Sequence, residues 1–126
     1  TRDLNGAWTV DPEPIFPPTE QCENTSLYYE PSNDTWFLFT NHIGIHPDRG
    51  EYTDAIWVYW TRDLNQWNTE DKATEQVKGA IGMPSVIKVG DRLAMLYDGA
   101  TGENHGHMGR GINLAWLSLP LTPPAE

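Results

Sequence analysis

Residues 56–67 read IWVYWTRDLNQW: Trp57 alternates faces with Ile56 and Trp60 with Tyr59, and a polar turn then leads to Trp67. Alternation over so few residues argues a β-strand closed by a turn rather than a helix. The same turn, TRDLN, stands at residues 1–5 ahead of Trp8, so self-similarity decides the fold. The likeness extends further. INLAWLSLPL (112–121) aligns with the 56–67 stretch, pairing Ile56 with Ile112 and Trp60 with Trp116. TWFLFTN (35–41) aligns with RLAMLYDG (92–99), and SLYYEPSND (26–34) with SVIKVGD (85–91).

Partial copies therefore recur at about sixty residues. Each holds an inner strand, a tight polar turn, a second apolar strand, a long loop, and a third strand ending in a turn. A fourth, more polar strand follows: WTVDPEPIF (8–16) after the first TRDLN and part of 67–78 after the second. In the turn Asp63 bonds local backbone and Trp67 packs on the sheet, so structural roles suffice for Asp3 and Asp63. TEDKATEQVK (69–78) is the one stretch with helical composition, but without an apolar face it reads as an outer strand.

A four-stranded antiparallel unit repeated at this period is a β-propeller blade, which buries both faces only when neighbours stack on it. The expected fold is all-β, an incomplete propeller ring within one chain. Residues 1–126 form a single propeller segment: 1–16 the outermost strand of a preceding blade, 20–78 a complete blade, and 79–121 three strands of a further blade. Unpaired edges invite pairing. Residues 8–16 are therefore expected to complete the last blade of another copy or of a missing remainder, and a homo-oligomer through blade edges is the expected assembly.

The balance of 8 basic against 18 acidic residues, a formal charge of -10, opposes a nucleic-acid or anionic-membrane partner. No apolar run approaches the roughly 18 residues of a membrane span. A soluble chain is expected. The one cysteine, Cys22, forms no intrachain disulfide and leaves the compartment open; a secreted or periplasmic parent fits.

Up-and-down topology sorts the loops. The short turns PSND and VGD and both TRDLN copies fall at one end. At the other fall residues 20–26, 41–54, 79–85 and 98–111, which carry His42, His46, His105 and His107 with Glu23, Asp54, Asp98, Glu103, Arg49 and Arg110. Acid, imidazole and guanidinium concentrated at one mouth are the functional signal.

CENTSLYYEPSNDTWFLFTNH (22–42) resembles the segment of the five-bladed propeller glycosidases (glycoside hydrolase families 32, 43, 68 and 117) in which a glutamate opens an inner strand. TRDLNQW is similar to their S-x-D-L-x-x-W turn, and GMPSVIKVGDRLAMLYDG (82–99) to their inner hairpin. The resemblance covers nearly the whole chain but only about two blades of five. It implies that Glu23 is the general acid that protonates the departing glycosidic oxygen, opposite a second carboxylate. Those enzymes take that second group from an aspartate at another inner-strand start, and here Met83-Pro84-Ser85 stands instead. Asp54 and Asp98, at strand ends near the mouth, are the assisting candidates. Asn24, His42, His46, His107 and Arg110 are the candidate sugar ligands, Arg110 offering a planar fork.

No cofactor is expected. His105 and His107, two apart in HGHMGR, make a divalent metal the minority reading, since the spacing matches no strong zinc signature. The function expected is a glycoside hydrolase-like, carbohydrate-binding protein acting on a glycosidic bond. The alternative is a non-catalytic sugar-binding or assembly module.

Overall fold

The computed structural model describes residues 2–43, 55–78, 80–100 and 110–125. Within them the chain is all-β. After a 3-10 turn at Pro18–Glu20 come β1 (Cys22–Glu30), β2 (Thr35–His42), β3 (Ala55–Thr61), β4 (Lys72–Lys78), β5 (Ala80–Val89), β6 (Arg92–Ala100) and β7 (Arg110–Ser118). They form a four-stranded sheet in the order β1-β2-β3-β4 and a three-stranded sheet in the order β5-β6-β7. Every pairing is antiparallel between chain neighbours. The two antiparallel sheets fit incomplete propeller blades, and they do not close into a ring. No helix among the described residues is long and apolar enough to cross a membrane.

The two sheets repeat one another in register from the inner bulge outward to the third strand. Glu23 faces Asn41 and Ser26 faces Phe39 across β1 and β2, an offset that leaves a bulge between them. Across β5 and β6 Gly82 faces Asp98 and Ser85 faces Leu96, with the same bulge. Each bulge turns on a residue in the left-handed region, Asn24 at φ 51 and Met83 at φ 54. Further out Asn41 pairs with Ile56 and Phe37 with Trp60, as Asp98 pairs with Ile112 and Ala94 with Trp116. The inner hairpins close differently. Residues Pro31 to Asp34 close the first, whereas Gly90 (φ 63) and Asp91 close the second, glycine standing first where a two-residue turn demands positive φ.

The core lies between the sheets. Phe37, Phe39 and Ile56 of the first meet Ala80, Leu93 and Met95 of the second, with Tyr28, Val58, Trp60, Val86, Ala115 and Leu117 packed around them. Full burial of each large apolar side chain stabilises by about 1.5–3 kcal/mol. The backbone N–H of Val86 donates to Ser26 Oγ at 3.1 Å, tying β5 to β1. Farther out the sheets diverge around a cavity of about 370 Å³, lined among others by Val58, Trp60, Ala73, Val77, Ala115 and Leu117. It opens there because β4 has no strand opposite it in the second sheet.

Strand β2 is buried on both faces. Its second face is roofed by the segment before β1, where the Phe16 ring lies 4.6 Å from Tyr59 and 5.5 Å from Trp67. After β7 the chain returns to the first hairpin. The Leu121 N–H donates to Glu30 Oε2 at 3.1 Å, and Asn33 Nδ2 donates to the Leu121 carbonyl at 2.7 Å. Glu30, 4% exposed, also accepts from Tyr28 Oη, the Ser32 N–H and Ser32 Oγ.

The stretch 69–78 contains β4, as an outer strand, and not a helix. Residues 8–16, however, form no strand: among the described residues they pair with no neighbour, and Trp8, Val10 and Ile15 stand exposed. A strand needs a neighbour to share its backbone N–H and C=O groups, and no described strand of this chain lies beside these residues. The turn before them is nevertheless formed. Asp3 Oδ1 accepts from the Asn5 N–H at 2.9 Å and the Asp3 carbonyl from the Gly6 N–H at 2.9 Å. Asp63 does the same with Asn65 at 3.0 Å and Gln66 at 2.9 Å. In both copies the tryptophan indole N–H reaches the leucine carbonyl, Trp8 to Leu4 and Trp67 to Leu64.

Candidate functional site

The register sets which side chains share an end. Glu23, Asn41 and Ile56 stand in a row across the first sheet, and Gly82, Asp98 and Ile112 in the corresponding row of the second. The rows meet where β5 approaches β1 and β2: a Cβ on Gly82 would stand 3.7 Å from Asn24 Nδ2 and 3.9 Å from Asn41 Nδ2. Two carboxamides thus gather at the Gly82 backbone, at the level of the sheet where the exposed Glu23 pairs with Asn41. The bulge at Asn24 aims this group. Thr40 Oγ1 fixes it by donating to the Glu23 carbonyl at 3.1 Å.

Asp98 and Arg110, twelve residues apart, are brought together as an ion pair at 3.3 Å between Oδ2 and Nη1. Their side chains are 17% and 29% exposed, so the pair contributes at most about 1 kcal/mol and its use is positional. It projects from the face of the second sheet that points away from the first, because Asp98 shares parity with Leu96 and Ala94.

His42 follows Asn41 in β2 and so points to the opposite face. It is 8% exposed and stacks on Trp57, ring centroids 3.6 Å apart and planes within 7°. Around it stands a polar cluster that sequence reasoning missed. Tyr59 Oη donates to Glu20 Oε2 at 2.5 Å, Lys72 Nζ pairs with the same oxygen at 3.0 Å, and Cys22 Sγ lies 3.6 Å from Tyr59 Oη. Burial pushes the Glu20 carboxyl up, but the Tyr59 and Lys72 bonds and the nearby Lys72 and His42 charges outweigh it, leaving Glu20 below the usual carboxylate range. Burial and the bond to Glu20 hold the Tyr59 phenol well above its ordinary value, and burial raises the Cys22 thiol. The cluster pins the segment that leads into β1. The one signal for it in the sequence was the shared parity of Trp57 and Tyr59 on β3.

Asp54, His46 and His107 lie outside the described residues, as do Arg49, Glu103 and His105. Of the nominated groups the structure therefore brings together Glu23 with Asn24, and Asp98 with Arg110, and turns His42 to the other face. Asn41 and Gly82 were not nominated. At the position equivalent to Glu23 the second inner strand carries Gly82, so no carboxylate stands there. Among the described residues no three His, Cys, Asp or Glu side chains converge as metal ligands.

No protein-family model matches the chain, and no curated protein matches it. A solved structure that does match is an endo-1,4-beta-xylanase from Bacteroides thetaiotaomicron, 25% identical with a TM-score of 0.55. The match covers 88% of this chain and 37% of the xylanase, so the chain spans little more than a third of that enzyme's length. The likeness is to a glycoside hydrolase, over nearly all of the two sheets described above.

Proposed function

We propose that the chain is a glycoside hydrolase-like, carbohydrate-active protein of the propeller glycosidase type, working at the end of the sheets where Glu23, Asn24, Asn41 and Gly82 gather. One observation carries the reading: an exposed glutamate opens the bulged inner strand of a fold similar, at 25% identity, to an endo-1,4-beta-xylanase. Sugar hydroxyls are recognised by carboxamides, which donate and accept, and by carboxylates, which accept; the exposed Asn24 supplies the carboxamide, with the buried Asn41 behind it. Glu23, as a carboxylic acid, gives its proton to the glycosidic oxygen while the bond from that oxygen to the anomeric carbon breaks. A second carboxylate then directs water to that carbon or attacks it. Asp54 is the candidate for that assistance; Asp98, paired with Arg110, faces away from Glu23 across the second sheet, so Asp98→Asn serves as the comparison variant. His46 and His107 are proposed as further sugar ligands.

The test is turnover of aryl β-xylosides and hydrolysis of β-1,4-xylan by the native chain, Glu23→Gln and Asp98→Asn. General-acid catalysis contributes about 10²–10⁴-fold, so Glu23→Gln is expected to lose at least a hundredfold in kcat on xylan while retaining sugar binding. An active native chain and an equally active Glu23→Gln variant refute the assignment.

A second reading is favoured by Gly82: with no carboxylate at the position equivalent to Glu23, the site reads as a sugar-binding module without turnover. Retention of the native chain on a xylan affinity gel, with no product released, selects that reading.

A further inference from the structure

The face that the first sheet turns toward the second is built from Phe37, Phe39, Ile56, Val58 and Trp60. The register places their equivalents, Ala94, Leu96, Ile112, Leu114 and Trp116, on the far face of the second sheet. Ala94 is buried there, but the larger side chains stand open: Ile112 is 71% exposed, Leu114 50%, Leu96 45% and Trp116 43%. The second sheet thus repeats a stacking face whose first version is buried. Its outer edge is open too. Strand β7 pairs with β6 along all nine residues, and among the described residues nothing pairs with its other side, where β4 stands in the first sheet.

The same chain carries an unpaired segment suited to that edge. Residues 8–16 match β7 in length, nine residues each, and follow a TRDLN turn hydrogen-bonded like the one that precedes β4. Trp8, Val10 and Ile15 are 67%, 82% and 54% exposed. The two prolines within the segment, Pro12 and Pro14, are two apart. In a strand such residues direct their backbone groups to the same side, so both missing N–H donors face outward while Thr9, Asp11, Glu13 and Ile15 present theirs to the neighbour. That is the arrangement of an outermost strand. The cavity between β3–β4 and β7 lies where the inward side chains of a fourth strand would enter, and Val10 on one parity or Ile15 on the other would supply an apolar one.

We infer that residues 8–16 of a second copy of this chain add to the free edge of β7 as the fourth strand of the second sheet. The far face of that sheet then stacks on the neighbour's first sheet, beside Leu27 and Tyr29, which stand 42% and 38% exposed. The contact is heterologous, so it propagates head to tail until it closes. Like charges on the copies, -10 each, oppose association, and salt screens them.

The experiment is sedimentation velocity and light scattering of the 126-residue chain across a wide concentration series, with Thr9→Pro, Val10→Pro and Leu114→Glu. The native chain and Val10→Pro, whose N–H faces outward like those of Pro12 and Pro14, are expected to form the same discrete oligomer, more tightly as salt rises. Thr9→Pro removes a ladder donor and Leu114→Glu charges the stacking face. Both are expected to remain folded monomers with unchanged circular dichroism. A native chain that is monomeric at every concentration, or an oligomer indifferent to Thr9→Pro and Leu114→Glu, overturns the inference.

Discussion

Replacing Glu30 by alanine probes how the C-terminal return is fastened. The Glu30 carboxylate accepts four hydrogen bonds: Ser32 N–H at 3.2 Å, Ser32 Oγ at 2.7 Å, Tyr28 Oη at 3.2 Å and Leu121 N–H at 3.1 Å. Ser32 is exposed, so its two donors turn to water at little cost. The Tyr28 and Leu121 donors are partly buried and lose a charged acceptor, each bond contributing about 1.5–3 kcal/mol. Alanine also relieves the desolvation of the carboxylate, which favours the low end, about 3 kcal/mol for the two. At about 4 °C per kcal/mol for a chain of this size, Tm falls by about 12 °C. Urea unfolding at neutral pH, followed by tryptophan fluorescence, measures the loss directly. Burial raises the Glu30 carboxyl, but its hydrogen bonds outweigh that and leave it below its ordinary value of about 4.5. A folded-state value depressed below the unfolded one means that the contribution is present above about pH 4.5 and is lost as pH falls through the folded value. Native chain and variant should therefore converge in acid. A loss below about 1 kcal/mol at neutral pH, or a gap that persists unchanged in acid, refutes the account.

Tyr59→Phe removes the donor to Glu20 and should cost about 1–3 kcal/mol in the same unfolding assay, while alkaline absorbance titration of the native chain should show a phenol that ionises only on unfolding. Gly90→Ala places a Cβ at φ 63 in open space, so it meets backbone strain and no clash; a loss of about 1 kcal/mol in urea is expected, and a gain would show that the turn does not require glycine. Cys22, half-buried with its thiol raised by burial, should react with a disulfide reagent far more slowly than a free thiol at pH 8, and rapid labelling of the folded chain would contradict its placement.

The inner hairpins and their repeat were legible because turn chemistry and period-two alternation are local. The alignment of Ile56 with Ile112 and Trp60 with Trp116 survives as paired register, since a hairpin's short turn fixes every pairing beyond it. Glu23 and Asp98 were assigned to one end for the same reason: antiparallel chain neighbours must alternate their loops. What was not legible depends on contacts between distant segments. Glu20, Tyr59 and Lys72 are 39 and 52 residues apart from Glu20's side, and no short-range pattern announces which face of β3 the chain before β1 will cover. Residues 8–16 form no strand within the described chain for a related reason, because a strand is a property of a pair. His42 was nominated as a ligand from its place at the start of the 41–54 loop, and the parity that sets it opposite Asn41 turns it onto Trp57.

Strand β2 has no exposed edge and no exposed face along Phe37 to Asn41. Its amides can meet solvent only when both flanking strands and both covering layers separate, which amounts to opening the whole unit. Hydrogen exchange at Leu38 to Asn41 should therefore report global unfolding, whereas β4 and β7, at sheet margins, exchange through local fraying. The backbone that carries Asn41 to the candidate site is accordingly the slowest clock in the molecule, and Arg110, at the start of an edge strand, sits on one of the fastest.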